Sequence, residues 1–281
     1  MPQATAAEQA VREGDAKRAL ELLTAQVRGA PNDAKLRIFM FQLLAVLGQW
    51  ERALNQLNVA GELDPSTLPM VQTYREAINC EALRRQVFAG QKVPMLFGEP
   101  QPWVALLIES LLQAGRGELG NAAKLREQAL QQAPATAGSV DGQAFEWIAD
   151  ADLRLGPTLE AVINGRYCWV PFERLSQITI DPPVDLRDAV WTAATLRFSN
   201  GGESVALIPT RYPDTELALG DLCALARRTE WQTAAGGGEI GLGQRMLATD
   251  TGDFALMDVR EVVFTSTPDG EVDAEAEADA G

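Results

Sequence analysis

The chain has 281 residues, 46% of them hydrophobic and 22% charged, which is enough apolar material for one large domain or two ordinary ones. Its 39 acidic and 24 basic residues give a net charge of −15, which argues against binding to nucleic acid phosphates or to an anionic membrane surface. The sequence contains no histidine, and this excludes Ser-His-Asp and Cys-His catalysis and every histidine-ligated metal site.

A repeat with a period of 34 residues opens the chain. Residues 14–31 (GDAKRALELLTAQVRGAP) and 48–65 (GQWERALNQLNVAGELDP) agree in register at glycine, alanine, leucine and proline positions. That period is typical of tetratricopeptide helix pairs, in which glycine permits the tight turn and proline ends the second helix. A weaker third copy follows at 117–134, after a predicted helix at 69–88 and a Gly/Pro-rich loop. The pattern predicts an all-α tetratricopeptide-like domain over residues 1–140.

Strand signals dominate the second half of the chain. One more short helix is predicted near Phe145–Leu153, and another helix over residues 217–228. Between and after these helices, Gly and Asn/Asp turn signals separate apolar runs and predict hairpins around 164–165, 199–202 and 250–253, with a final strand at 259–264. We therefore predict a small, mostly antiparallel α+β domain over residues 141–266, segregated from the helices, so that the fold class is α+β.

The last residues, 267–281, alternate acidic residues with alanine or valine and contain no basic residue. A segment with so little to bury predicts a disordered, solvated tail. The N-terminus shows no basic segment followed by an apolar one, and the longest apolar runs are too short to cross a bilayer, so we expect a cytoplasmic protein.

No catalytic constellation emerges from the remaining candidates. The glycine-rich run at 236–243 lacks the lysine and hydroxyl of a phosphate-binding loop and predicts a loop that leads into a strand. The aspartates near Arg154 and Arg187 predict ion pairs, and Cys80, Cys168 and Cys223 predict separate buried thiols. We accordingly expect no catalytic residue, no cofactor and no metal site.

The β half is rich in arginine and aromatic residues, which are the residue types of interface hot spots. We select four of them as candidate partner-binding residues: Arg197, Arg211, Tyr212 and Trp231. The alternative is that the aromatic side chains form the core and the arginines pair with the acidic excess. Tetratricopeptide helix pairs supply a second kind of binding surface, because they stack into a groove that accepts a peptide or a helix.

Four ordered runs identify a family. The sequences FEWIADADLRLGPTLEAVINGRYCWVPFERL, PPVDLRDAVWTAATLRFSNGGESVALIPTRYP, LARRTEW and GLGQRMLATDTGDFALMDV resemble the ImpE family, also called TagJ or SciE, of bacterial type VI secretion accessory proteins. The resemblance runs from about residue 143 to 264, and the repeats of the N-terminal half agree with it.

The resemblance implies a non-enzymatic cytoplasmic adaptor. Its implied partner is the N-terminal helix of the small contractile-sheath subunit, and indirectly the ATPase that disassembles the sheath. Two alternatives stay open: an adaptor or chaperone for another secretion component, such as an effector or baseplate protein, and an enzyme that uses carboxylates and arginines of the β domain. Convergence of Asp150, Asp181 and Arg211 in one deep pocket would favour the enzyme, whereas a shallow apolar groove would favour an adaptor.

Overall fold

The protein is described by a computed structural model that covers residues 5–217, 220–234 and 237–265. The predicted disordered tail at 267–281 lies outside these described residues. Within the described ranges, the helices lack the combination of length and apolar character that a bilayer crossing requires.

Among the described residues, seven α-helices form the first half of the chain. They are α1 (Ala6–Glu13), α2 (Ala16–Gly29), α3 (Ala34–Val46), α4 (Trp50–Leu63), α5 (Leu68–Phe88), α6 (Pro102–Gly115) and α7 (Leu119–Gln132).

The repeated positions of the sequence have the structural roles that the 34-residue period predicts. Gly14 and Gly48 both follow the first helix of a pair and adopt positive φ, 86° and 66°, which a side chain would oppose. Ala19 and Ala53 are both fully buried, where a small side chain lets neighbouring helices approach closely. The predicted tetratricopeptide-like helical region is confirmed, and its weaker third copy, residues 117–134, covers the turn and the second helix of the pair α6–α7.

The rest of the chain, as far as the structure describes it, is mainly strand. The strands are β1 (Met95–Leu96), β2 (Gly138–Val140), β3 (Gln143–Phe145), β4 (Ile148–Asp150), β5 (Thr158–Ile163), β6 (Arg166–Pro171), β7 (Leu175–Ile180), β8 (Trp191–Phe198), β9 (Glu203–Pro209), β10 (Thr229–Thr233), β11 (Glu239–Gly243), β12 (Met246–Thr249), β13 (Asp253–Ala255) and β14 (Glu261–Phe264).

Nine of these strands form one sheet in the order β1-β6-β5-β9-β8-β7-β14-β2-β3, with antiparallel pairing except between β1 and β6. The predicted hairpins are present as β5–β6, β8–β9 and β12–β13. The mostly antiparallel character predicted for the second half is therefore confirmed. Strands β10 and β11 make a separate two-stranded hairpin, and β13-β12-β4 make a three-stranded sheet.

The helix predicted near Phe145–Leu153 is wrong, because this segment contains β3 and β4. Asp141 and Gly142 adopt positive φ, 49° and 83°, and form a two-residue turn that pairs Val140 with Gln143. An Asp-Gly pair with this geometry is a strong hairpin signal. It reverses the chain before a helix can begin.

The helix predicted over 217–228 is reduced to the four residues of α8 (Asp221–Ala224). Gly220, with φ 103°, precedes it, and Ala226, with φ 53°, follows shortly after its end. Left-handed residues on both sides prevent the helix from extending in either direction.

The helices and one face of the large sheet share a hydrophobic core rather than standing apart, and the other face of the sheet carries a second hydrophobic cluster. Trp191 of β8 packs against Trp50 and Tyr74, with ring centroids 5.8 and 5.7 Å apart, and Phe88 of α5 packs on Trp169 of β6. The large sheet also takes β1 from within the helical half and begins its continuous part at Gly138. The chain is thus divided by secondary structure, but not by its core.

Candidate partner-binding surface

Arg211 has an internal role, which corrects its selection as a partner contact. Its side chain is buried, and its guanidinium donates to the carbonyl oxygens of Val46 (2.7 Å) and Ala45 (3.3 Å) at the end of α3, and to that of Ala224 in α8 (2.5 Å). Burial lowers the pKa of Arg211 to about 10, so the group stays charged at neutral pH. A cation at a helix C-terminus is stabilised by the helix dipole.

Tyr212 is buried as well, so its selection as a partner contact is also corrected. Its hydroxyl accepts from the Met246 N–H at 3.0 Å, and its ring lies directly beneath Gly241 of β11. A Cβ atom at position 241 would stand 2.2 Å from this ring. Tyr212 therefore supports the β10–β11 hairpin from below and does not face a partner.

Arg197 and Trp231 remain at the surface. Arg197 lies on an uncovered part of the large sheet, where it donates to Glu203 at 3.2 Å and Gln177 at 3.0 Å. Trp231 on β10 is 39% exposed and packs against Tyr212 with a centroid distance of 5.6 Å. These two residues belong to different surfaces, so the structure does not bring the four predicted residues together as one site.

A buried ionic network joins α5 to the sheet. Arg84 of α5 donates to both carboxylate oxygens of Glu160 on β5, at 2.7 and 3.0 Å. Arg245 bonds to Glu160 and to Asp150, and Tyr167 donates to Glu160. Burial by itself would raise the pKa of Glu160, but Arg84 and Arg245 outweigh it and lower the pKa to about 2. The cluster is charged, fully enclosed and hydrogen-bonded.

Asp150, Asp181 and Arg211 do not converge in one pocket within the described residues. Asp150 belongs to the buried network, Asp181 lines a separate cavity of about 220 Å³, and Arg211 bonds to helix ends. The predicted ion pairs are confirmed in the form Asp152–Arg154 (2.5 Å) and Asp185–Arg187 (2.6 Å).

The cysteines are buried as predicted. Burial raises the pKa of Cys80 to about 12 and that of Cys168 to about 11, so neither thiol ionises at neutral pH. Burial raises the pKa of Cys223 too. Among the residues that the structure describes, no group of Cys, Asp and Glu side chains has the arrangement of a metal site.

An open trench lies between the last tetratricopeptide-like helix and the β10–β11 hairpin. We call it the α7 trench; its volume is about 500 Å³. Its lining consists of Ala123, Arg126, Glu127, Leu130, Gln131, Leu153, Gly237 and Gly238.

The α7 trench has apolar side chains between charged ones. Ala123 and Leu130 are seven residues apart and share one side of α7, and Leu153, 37% exposed, stands opposite. Arg126 crosses the trench and donates to the Gly237 carbonyl at 2.6 Å. This shallow, mostly apolar surface is of the kind that accepts an amphipathic helix.

Sequence reasoning missed the α7 trench. A signal for it was present in α7, whose buried residues Ala122 and Ala129 pack on the helical core while Ala123 and Leu130 continue the apolar stripe around the helix. The apolar stripe of α7 is wider than packing against one neighbouring helix requires. Its extra width indicates a second contact surface. The opposite wall could not be predicted, because Leu153 and Gly238 reach it only through the tertiary fold.

Comparison with known proteins agrees with this architecture. The family model described as ImpE protein matches residues 142–263, and a tetratricopeptide repeat model matches residues 10–78. The crystal structure of protein VPA1032 from Vibrio parahaemolyticus has a TM-score of 0.85 and 25% identity, covering 93% of this chain and 98% of that one.

A relative from Pseudomonas aeruginosa, the type VI secretion system accessory component TagJ, is 50% identical over 261 residues, which are 93% of this chain and 92% of the relative. Identity at this level over nearly the whole of both chains establishes common descent and a common fold. The protein therefore belongs to the ImpE family and is a homologue of the accessory component TagJ.

Proposed function

We propose that this protein is a non-enzymatic, cytoplasmic accessory component of a type VI secretion system, and that its α7 trench holds a helix of another component. Homology to TagJ supports the place in the secretion system. The family resemblance supports the N-terminal helix of the small sheath subunit as the occupant, and through it an effect on sheath assembly or on disassembly by the ATPase.

The observation that carries the proposal is the form of the α7 trench. Ala123 and Leu130 offer apolar surface along two turns of α7, and Leu153 faces them across the opening. A partner helix would place apolar residues at i, i+3/i+4 and i+7 over this strip and leave its polar side toward Arg126 and Glu127. Because the protein carries a net charge of −15, a partner segment with lysine or arginine would associate faster.

The same geometry gives little support to the alternative that the β domain is an enzyme. The carboxylates of Glu160 and Asp150 are buried, and they form ion pairs with Arg84 and Arg245. A substrate could reach them only if the core opened.

Titration of a labelled peptide, the N-terminal helix of the small sheath subunit from the same gene cluster, tests the proposal by fluorescence anisotropy. We expect saturable binding to the wild-type protein and at least about tenfold weaker binding to Leu153→Glu, because a carboxylate would be buried against an apolar helix face. The matched control is Val184→Glu, which adds the same charge at a side chain that is 84% exposed and outside the trench.

Equal affinity of the wild-type protein and Leu153→Glu would remove the trench from the site. No binding of the peptide or of the intact sheath subunit would favour the other adaptor function, for an effector or baseplate component, and a pull-down from the native host would then identify the partner.

Arg197 and Trp231 stay as proposed contacts and enter the same titration. Arg197→Glu changes a charge on the uncovered sheet without disturbing the core, since Arg197 and Glu203 are both exposed. A loss of affinity for Arg197→Glu, with Leu153→Glu unchanged, would move the site from the trench to the sheet.

A further inference from the structure

The two outer edges of the β10–β11 hairpin differ in their hydrogen bonds to the rest of the protein. Gly241 and Gly243 on the outer edge of β11 donate to Asp152 (3.2 Å) and to the Thr215 hydroxyl (2.8 Å), and the Gly243 carbonyl accepts from the Tyr212 N–H (2.9 Å). These bonds fix β11 to the body of the protein. No such bonds are present within the described residues for the outer edge of β10.

The hydrogen-bond register shows which backbone groups face outward from β10. Gln244 donates to the Arg228 carbonyl and Ala234 donates to that of Gly238, so positions 228 and 234 belong to hydrogen-bonded pairs. Antiparallel pairing alternates, and the intermediate residues Thr229, Trp231 and Thr233 therefore direct their N–H and C=O groups away from β11. The last two of these residues are exposed.

The sequence of β10 is nearly symmetric about Trp231. Read in either direction from Trp231, the strand presents first a Glu or Gln and then a Thr, in the order Thr229-Glu230-Trp231-Gln232-Thr233. The strand has no proline, lysine or bulge, which are the features that protect exposed edges from pairing.

We infer that β10 pairs with β10 of a second copy of this chain, antiparallel and centred on Trp231, so that two hairpins form one four-stranded sheet across a two-fold axis. Trp231 then faces its own copy, and Thr229 faces Thr233 of the other chain. Each of these pairs places outward-facing N–H and C=O groups opposite each other and forms up to about six inter-chain hydrogen bonds in total.

The remaining side chains of β10 fit this register. Glu230 faces Gln232 of the other copy on the opposite side of the strand, where an amide donates to a carboxylate, and the threonine pairs are favourable cross-strand neighbours. An interface closed by a two-fold axis must be self-complementary in this way. A hetero-partner would place no symmetry requirement on the strand.

The interface is small, so the dimer is weak. One five-residue strand pair buries less than the roughly 1,200 Å² of a stable complex, and we expect a dissociation constant on the order of 10–100 µM. The dimer would therefore form where the protein is concentrated on a larger assembly.

Sedimentation velocity over rising protein concentration tests the inference with the full chain. The wild-type protein should pass from monomer to dimer, and Thr233→Pro should raise the dissociation constant at least about tenfold, because proline removes an outward N–H on an edge strand without removing a bond to β11. The matched control Thr233→Ala keeps that N–H and should dimerise nearly as the wild type does. Thermal melting of each variant verifies that the hairpin variants remain folded.

A charge-pair experiment tests the register. Trp231→Lys and Trp231→Glu should each be monomeric, because like charges would meet at the two-fold axis, and an equimolar mixture of the two should form a heterodimer. A monomeric wild-type protein up to several hundred micromolar, a dimer unaffected by Thr233→Pro, or a mixture that stays monomeric would overturn the inference. Protection of the β10 amides from hydrogen exchange only after addition of the sheath subunit would instead assign this edge to a strand of that partner.

Discussion

Glu160 is the residue on which the helical half and the sheet depend most directly. It accepts from Arg84 of α5, Arg245 and Tyr167, and it is completely buried. Removing one partner from such a group costs more than the pair contributes, because the remaining charges stay in a medium of low dielectric constant.

Replacement Glu160→Gln should therefore lower the free energy of unfolding by about 3–5 kcal/mol, measured by urea denaturation. The matched control is Glu203→Gln, which breaks an exposed pair with Arg197 and should cost less than about 1 kcal/mol. Equal effects of the two substitutions would show that the buried network contributes no more than a surface pair.

The same residue predicts a dependence on pH. The folded-state pKa of Glu160, about 2, lies below its ordinary value of 4.5, so the unfolded state takes up the proton first as the pH falls. The stabilisation is complete above about pH 4.5 and is lost as the pH falls through about 2. The difference in unfolding free energy between the wild type and Glu160→Gln should shrink over this range, and a constant difference would contradict the assignment of the charge.

Within single elements, replacement of a glycine by alanine should have opposite effects on stability at two positions, one in β11 and one in α7. Gly241 of β11 lies on the Tyr212 ring, where a Cβ atom would be only 2.2 Å away, whereas Gly120 in α7 has no atom within 4 Å of such a Cβ. One glycine is required for close packing and the other only loosens a helix.

Gly241→Ala should lower the melting temperature by several degrees, because the β10–β11 hairpin must move away from Tyr212. Gly120→Ala should raise stability by about 0.5–1 kcal/mol, since alanine restricts the unfolded chain and favours the helix. Thermal denaturation measures both. Destabilisation by the alanine at position 120 would show that this part of α7 has a neighbour outside the described contacts.

Trp50 tests whether the helical repeat is packed into the core that it shares with the sheet. It opens α4 and packs against Trp191 of β8 at a centroid distance of 5.8 Å, so Trp50→Ala should lower the free energy of unfolding by about 3 kcal/mol. Trp147→Ala, at a tryptophan that is 40% exposed, should cost less than half as much. A denaturation midpoint of Trp50→Ala equal to that of the wild type would separate the repeat from the shared core.

For the molecule as a whole, the shared core and the buried arginines predict one cooperative unit. Arg211 bonds to the end of α3, Arg84 bonds to Glu160 on β5, and Trp191 and Trp169 pack on the helices. Unfolding of the helices would expose charged groups and large aromatic rings of the sheet, and unfolding of the sheet would do the same to the helices.

Unfolding followed by far-ultraviolet circular dichroism and by tryptophan fluorescence should consequently give coincident transitions. Arg211→Met should shift that single transition by about 3 kcal/mol, because the carbonyl oxygens of Ala45, Val46 and Ala224 lose a charged donor. Two separated transitions in the wild type would show that the helices and the sheet unfold independently.

Local patterns in the sequence determined the helices and most of the hairpins. The 34-residue period specified the helix pairs, because glycine turns and buried alanines recur wherever one pair stacks on the next. Asn164-Gly165 and the glycine pair after Asn200 specified β5–β6 and β8–β9 through turn geometry alone. The same rule applied to Asp141-Gly142 would have predicted β2–β3.

Tertiary structure alone decided which residues became surface and which became core. Arg211 and Tyr212 resemble interface residues by type, yet α3 and β11 enclose them, and Arg197 and Trp231 stay exposed on separate faces. The α7 trench and the buried Glu160 network are likewise built from residues distant in the chain. Residue type sets what a side chain can bond to, but burial depends on long-range packing, and no pattern within one segment records it.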